Sequence, residues 1–274
     1  MRCFTPQGGG KEMALNKTGF DEFKRKVILR GYLEVLSSLH IGKGRALNPD
    51  SATDNPVIKD FRGRPFIPGS SLKGSLRSLA EALLRSYPNS PLRSCDVIDD
   101  ACVKDRKDMS DEELLEKSCD ICLLFGSPWV ASRLSFTDLP VEEERWHDLL
   151  LQIRDGVAID REAGAASPQK KYDYEVVPAG TRFKLEILCD NVEDYELGIL
   201  FSAIEFLNQG LAHLGGHNTR GCGKVKIEIE SYEDVKKDEV IDFLSGRKPK
   251  KEPPEEFKKR CLKAIEEKLK GGAK

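Results

Sequence analysis

Four cysteines and two stretches rich in glycine and cations are the residues here whose types and spacing suit chemistry. Cys95, Cys102, Cys119 and Cys122 follow C-x6-C-x16-C-x2-C and close on a C-x-x-C knuckle. In a reducing compartment, four thiolates at such spacing favour structural Zn2+: they complete its tetrahedral coordination and leave no open position for a reacting water. The alternatives are unligated or redox-active thiols. Cys3, Cys189, Cys222 and Cys261 are scattered and read as ordinary residues.

The second stretch is GGHNTRGCGKVKIEIE, residues 215–230. Its glycines permit positive φ and close backbone approach. Arg220, Lys224 and Lys226 stand there with no carboxylate between them, and His217 adds a donor. Peptide N–H groups without side-chain cover, beside planar arginine donors, suit a phosphodiester backbone. A tight helix-to-strand connection that needs glycine for geometry alone is the other reading.

The third stretch surrounds the start of a helix. Lys59, Arg62, Arg64, Lys73 and Arg77 face one acid, Asp60, between positions 59 and 77. Gly69, Ser70 and Ser71 open the helix, with either serine as N-cap and Lys73 one turn in, an arrangement that can hold an anion. An ordinary capped amphipathic helix is the competing reading, and the leucine stripe belongs to it.

The elements that must position these residues follow from periodicity. Residues 26–39 alternate as a strand, with Leu29, Gly31, Leu33 and Val35 on one face and Arg30, Tyr32 and Glu34 on the other. Leucines at helical spacing predict a helix over 70–87, and a second apolar stripe predicts one over 195–214. Strands are expected at 133–136, 183–187 and 223–230, and a short helix or strand at 145–153. Residues 86–127 read as a cysteine-bearing insertion with an acidic helix at 111–117. The run 156–178 suits a protruding loop or hairpin. Residues 1–25 form an unpatterned lead-in to a core over 26–232. Within 233–274, a basic proline-containing linker precedes a charged helix with a thin apolar stripe, an appendage or partner-docking element, with a frayed tail as the competing reading. The element order implies an α+β, ferredoxin-like β-α-β-β-α-β core.

Composition bounds the partners. The 274 residues carry a net charge of −2, so attraction for nucleic acid must come from local clusters. Charged residues at 33% and aromatics at 7% describe a heavily solvated surface. No apolar run approaches the roughly 20 residues a membrane span needs, and no signal peptide is evident, so the expected setting is cytoplasmic without a membrane partner.

Taken in order, His40-Ile-Gly, Asp54-Asn-Pro-Val-Ile-Lys-Asp60, Pro65-Phe-Ile-Pro-Gly-Ser-Ser-Leu-Lys-Gly74, Leu124-Phe-Gly126 and Gly215-Gly216…Arg220-Gly221-x-Gly223-Lys224 resemble one family. It is the RAMP-superfamily backbone subunit of type III CRISPR effector complexes, and the likeness spans roughly residues 27 to 230. The resemblance implies stacked copies gripping a CRISPR RNA beside other complex subunits in antiviral defence. It also implies a thumb at about 156–178 and a metal-binding cysteine insertion. Cleavage of target RNA would rest on Asp54 with Mg2+ or another divalent cation, although Ser51-Ala-Thr departs from the family's usual lead-in. The RNA-binding residues expected are His40, Lys43, Arg45, Ser70, Ser71, Lys73, His217, Arg220 and Lys224. The alternatives are a non-cleaving scaffold of the same complex, or a repeat-processing nuclease using His40 or His217 as a metal-independent acid or base.

Overall fold

A computed structural model describes residues 20–42, 53–107, 109–146, 151–162, 164, 166–247 and 252–271. Lys43 and Arg45 lie outside the described residues, as does most of the lead-in. The strand at the chain's start, β1 (Arg25–Val35), lies at the centre of a four-stranded antiparallel sheet. After it come β2 (Phe66–Ile67), α1 (Gly69–Arg85), α2 (Asp111–Lys117), α3 (Asp120–Phe125), β3 (Leu134–Phe136) and β4 (Leu139–Pro140). The second half holds β5 (Gln152–Ile159), β6 (Ala166–Val176), β7 (Arg182–Asp190), α4 (Asp194–Asn208), β8 (Val225–Lys236), α5 (Val240–Leu244) and α6 (Pro254–Lys270). The main sheet runs β3-β7-β1-β8; β2-β4 and β5-β6 are separate pairs.

β1 buries Val27, Leu29, Leu33 and Val35 on the face expected from its alternation. Between Arg30 and Gly31 its register with β8 shifts, and a Cβ on Gly31 would lie 1.9 Å from the Glu228 carbonyl oxygen. Glycine is therefore required at this crossing. The opposite face is a charged lattice: Arg30 bonds Glu186, Tyr32 donates to Glu228, and Arg182 pairs with Glu34 while lying 4.1 Å from the Tyr32 ring centroid. Its polar groups are paired with one another, and Tyr32, the strand's aromatic, is covered rather than offered.

α1 and α4 supply the buried leucines and isoleucines of the core's other layer. α4 stops at Asn208, short of the expected 214, and Gly210 with φ 68° turns the chain out of the helix. Glu196 in α4 and Arg133 before β3 form a buried ion pair at 2.8 Å. Burial raises the Glu196 pKa, and the Arg133 charge opposes that rise.

The charged C-terminal helix is not a free appendage. α6 lies along α4, where a Cβ on Gly198 would meet the Cys261 carbonyl oxygen at 2.3 Å. Phe257 is 1% exposed, stacks on Tyr232 at 4.0 Å and meets Phe201 edge-on. Arg25 bridges Asp194 and Asp234, and Arg260 reaches Asp194 and Glu252. Removing so large a buried ring leaves a cavity as well as a lost transfer term. Phe257→Ala is expected to lower unfolding free energy by about 3–5 kcal/mol, read from denaturant titration. A shift below about 1 kcal/mol would show that α6 is a peripheral element.

Candidate RNA-binding face and metal centre

Three segments distant in sequence converge at the base of the β5-β6 hairpin. His40 ends the segment after β1, and Leu39 pairs with Val177 just past β6. The segment of residues 53–59 runs alongside: Gly42 pairs with Val57, and Asn55 with Tyr174 on β6. The glycine loop then closes over His40. Gly216 N–H donates to the His40 carbonyl at 2.8 Å, and a Cβ on Gly215 would meet that oxygen at 2.4 Å.

The rings gathered there form a stack. Tyr172 and Tyr174 are 6.2 Å apart and near parallel; Tyr174 and His217 lie at 4.0 Å and 17°. His217 meets His40 edge-on at 4.9 Å. Arg220 bonds the Tyr172 hydroxyl and lies 5.6 Å from its ring centroid. A Cβ on Gly156 would run into the Tyr172 ring, so β5 carries glycine where that ring crosses it. His40 is 8% exposed, and its Nδ1 sits 2.7 Å from the Glu175 carbonyl. A carbonyl only accepts, so this nitrogen carries the proton. His217 has its pKa lowered by burial first, then by His40 and Arg220, which keeps it neutral at neutral pH.

The glycine loop differs from expectation in one respect. Its amides are mostly spent inside the protein: Gly216 on His40, Arg220 and Cys222 on His217, Gly221 on Asn218, and Gly223 on Ser38. Lys224 N–H donates to Ser37 Oγ. Positive φ at Gly215, Gly221 and Gly223 serves this tight connection. What the loop offers outward is side chains, with Arg220 and Lys224 both exposed.

The helix start is also built differently. The N-cap of α1 is Pro68, with no side-chain capping bond, so Ser70 and Ser71 sit inside the first turn. Gly69 N–H donates to the Asp138 carboxylate at 2.9 Å, which places a resident anion at this terminus. Lys73 turns inward onto Ser132 Oγ at 2.7 Å and the Leu134 carbonyl at 3.1 Å. Burial and then Arg77 lower its pKa. The structure thus gathers His40, His217 and Arg220, leaves Lys224 exposed at the end of the loop and has Lys73 committed elsewhere.

Asp54 is exposed at the hairpin base. Its N–H donates to Asp173 Oδ1 at 2.7 Å, and Asp173 N–H returns a bond to Asp54 Oδ2 at 3.2 Å. Glu175 is buried and braces the neighbouring segment through Val57 N–H and Lys59 Nζ. Arg154 on β5 reaches Ser38 Oγ at 2.7 Å. The sequence did not single out Arg154, Tyr172, Tyr174 or Asp173, because the hairpin's register with distant segments creates their role. The alternation of Tyr172, Tyr174 and Val176 was the available signal.

The four cysteines form the second centre, with all four sulfurs within 4.8 Å of one another. Cys95 and Cys122 Sγ are 3.5 Å apart, and Cys119 and Cys95 Sγ 3.6 Å. A tetrahedron with Zn–S bonds of about 2.3 Å has edges of about 3.8 Å, so these spacings fit, whereas a disulfide needs about 2.05 Å. Cys119 N–H points at Cys102 Sγ and Cys122 N–H at Cys119 Sγ, the kind of bond that stabilises thiolate. Hydrogen bonding from the Cys122 side chain comes first among the influences that pull the Cys119 thiol down to about 5. This cluster can bind a metal ion. α3, within which Cys122 lies, was not anticipated as a separate helix.

An antiparallel sheet backed by helices, a separate hairpin tied to the segment that follows its central strand and a glycine loop closing on a histidine define the class. Residues 32–226 match the RAMP superfamily, and the chain belongs to it. It is similar to the CRISPR system Cms endoribonuclease Csm3 of Methanocaldococcus jannaschii, with 31% identity over 74% of this chain and 79% of that protein. Similarity to the proteins of the same name from Methanothermobacter thermautotrophicus is 29%, over 75% of this chain and 85% of the relative. For Enterococcus italicus it is 27%, over 81% and 96%. Among the described residues no helix is long and apolar enough to cross a membrane.

Proposed function

We propose that this chain is a repeating backbone subunit of a type III CRISPR effector complex. In this reading it holds CRISPR RNA by its sugar–phosphate backbone and cuts complementary target RNA in a divalent-metal-dependent reaction. Its partners are further copies of itself, the other complex subunits and the two RNAs, in a cytoplasmic setting. The supporting observation is the convergence at the hairpin base. An exposed carboxylate, Asp54, stands one residue from Asn55, which pairs with Tyr174, which stacks on His217 beside Arg220. Cations that grip phosphate and a carboxylate that can act beside it therefore share one face.

The core unit we assign runs from β1 through β8, with α6 packed onto it. We read it as the ferredoxin-like β-α-β-β-α-β fold, because strand order β8-β1-β7-β3 with α1 and α4 as crossovers fits that topology. The β5-β6 hairpin takes the place of the thumb. For the four cysteines we assign structural Zn2+, since soft thiolates and a closed donor set suit it. Asp54 and Asp173 offer hard oxygen donors and would hold Mg2+ or a similar ion. Such an ion supplies stabilisation of charge developing on the scissile phosphate and leaving oxygen. Asp54 and Asp173 fix each other's backbone and hold the pair of carboxylates at the hairpin base. Arg220 and Lys224 neutralise the RNA backbone nearby. A metal-independent reaction through His40 gains no support, because that ring is buried and its Nδ1–H is committed to Glu175.

Arg220→Glu tests the RNA-binding half. Affinity for all single-stranded RNAs is expected to fall by a similar factor, with the salt slope of log affinity reduced by at least about 1. Titration of fluorescent RNAs of different sequence reads both quantities. An unchanged dissociation constant at moderate salt would overturn this assignment.

A further inference from the structure

The turn joining the 53–59 segment to β2 carries the most exposed large apolar side chain described: Phe61, at 91% of its free area. Nothing in the fold needs that ring, yet its backbone is tightly specified. Asp60 N–H donates to the Arg64 carbonyl, and Gly63 N–H donates back to the Asp60 carbonyl. Asp60 Oδ1 accepts from Arg62 N–H and Arg64 N–H, both at 2.9 Å, and Oδ2 from Arg64 Nε at 2.9 Å. Gly63 supplies the positive φ of 77° that closes the turn. Arg64 is further tied to Glu143. Burial alone would raise the Asp60 pKa, but the Arg64 amide and guanidinium and the Arg62 amide outweigh it and hold the carboxyl below its usual value. A rigid support under an otherwise idle aromatic marks a preorganised contact.

The surroundings identify the contact's chemistry. The Arg62 guanidinium lies 5.3 Å from the Phe61 centroid, and the other side chains flanking the ring in sequence, Lys59, Asp60 and Arg64, are charged as well. Arg62's own ion pair, to Glu143, is long at 4.0 Å and solvent-exposed. A protein hot spot needs a ring of water-excluding neighbours around its anchor, and here the neighbours are charged. A nucleobase needs one π-face and a cation near its phosphate, which is what this turn offers. Position agrees: two residues before Phe61, Lys59 pairs with Glu175 on the hairpin, and Ile58 N–H bonds the Ile41 carbonyl beside His40.

We propose that Phe61 is a base-stacking residue for the RNA held on the hairpin face, with Arg62 on the adjoining phosphate. This rests on the RNA-binding reading above and adds contacts seven and eight residues along the segment from Asp54, at Phe61 and Arg62. The test uses the full-length chain and a synthetic single-stranded RNA carrying 2-aminopurine at successive positions. The wild type is expected to quench the probe at one or more positions. Phe61→Ala abolishes that quenching and weakens binding by about 5- to 150-fold, the range for loss of a base-stacking aromatic. Phe61→Trp restores both, and the melting midpoint of each variant stays unchanged because the ring is outside the core. Unaltered quenching and affinity in Phe61→Ala, with Arg220→Glu still weakening binding, would overturn the stacking role and leave the RNA reading intact. Failure of the wild type to bind RNA at low salt would sink both. Altered sedimentation of RNA-free Phe61→Ala, with RNA affinity unchanged, would make the turn a contact between copies and overturn the proposal.

Discussion

Guided cutting of target RNA by a complex carrying Asp54→Asn is expected to fall by at least about 10^3-fold, while its RNA affinity stays within about twofold of wild type. The rate effect follows from the several kcal/mol of charge stabilisation a bound divalent ion supplies, at about 1.4 kcal/mol per tenfold. Asparagine is the informative replacement. Its side-chain oxygen can still accept from Asp173 N–H, and its own N–H still reaches Asp173 Oδ1, so the local backbone is kept while the charge is lost. Affinity holds because Asp54 is exposed and a carboxylate contributes no attraction to phosphate. Asp173→Asn should weaken metal binding, raising the Mg2+ concentration for half-maximal cutting rather than abolishing the reaction. The measurement is single-turnover cleavage by the assembled complex across Mg2+ concentrations, with EDTA as the zero point. Wild-type rates from Asp54→Asn would remove Asp54 from the chemistry. Equal loss of binding and cutting would make it a residue of RNA placement.

How much of this was legible in sequence depends on the range of the interaction. β1 and α1 were readable because their apolar periods are local, and their bounds fall within a few residues of expectation. α2 coincides with the acidic run because Ser110 and Glu113 form a capping box that sequence displays directly. α6 was misjudged because its thin stripe of Phe257, Cys261 and Ile265 suffices only against a helix with a notch at Gly198, a pairing across more than fifty residues. The glycine loop illustrates a different limit. Its composition matched both a phosphate clamp and a tight connection, and the amides reached the second use because Ser38 and His40 lie beneath them. Lys73 was an expected RNA contact by its place in the first helical turn, yet Ser132 and Leu134 claim its ammonium from across the core. The Tyr172–Tyr174 alternation was on display, but its stack on His217 was not, because only the hairpin's register puts β6 beside the loop.

The cysteine centre carries the second large effect. Cys122→Ser is expected to drop bound zinc from one ion per chain to a small fraction and to cost at least about 3 kcal/mol of stability, a fall in Tm of roughly 6–12 °C. The size follows from where the cluster sits. Cys119 and Cys122 are buried, and Leu92, Ile121, Leu124 and Phe125 around them belong to the same core as β1 and α1. Arg77 of α1 reaches both the Gly126 carbonyl and Cys122 Sγ, so the 86–127 insertion is bolted to the first helix. Without a metal the four sulfurs would be a polar cluster inside an apolar layer, held by weak thiol bonds alone. Serine keeps the shape but is a poor ligand beside thiolates, so the loss reports metal affinity and not packing volume. The check is elemental analysis with thermal melts, each with and without chelator. Wild-type protein should approach the Cys122→Ser melting temperature when stripped, while chelator leaves the variant where it was. Cys189→Ser, at a buried thiol outside the cluster, should retain full metal content. A wild type without zinc, whose Tm ignores chelator, would show that these thiols are structural residues and not ligands.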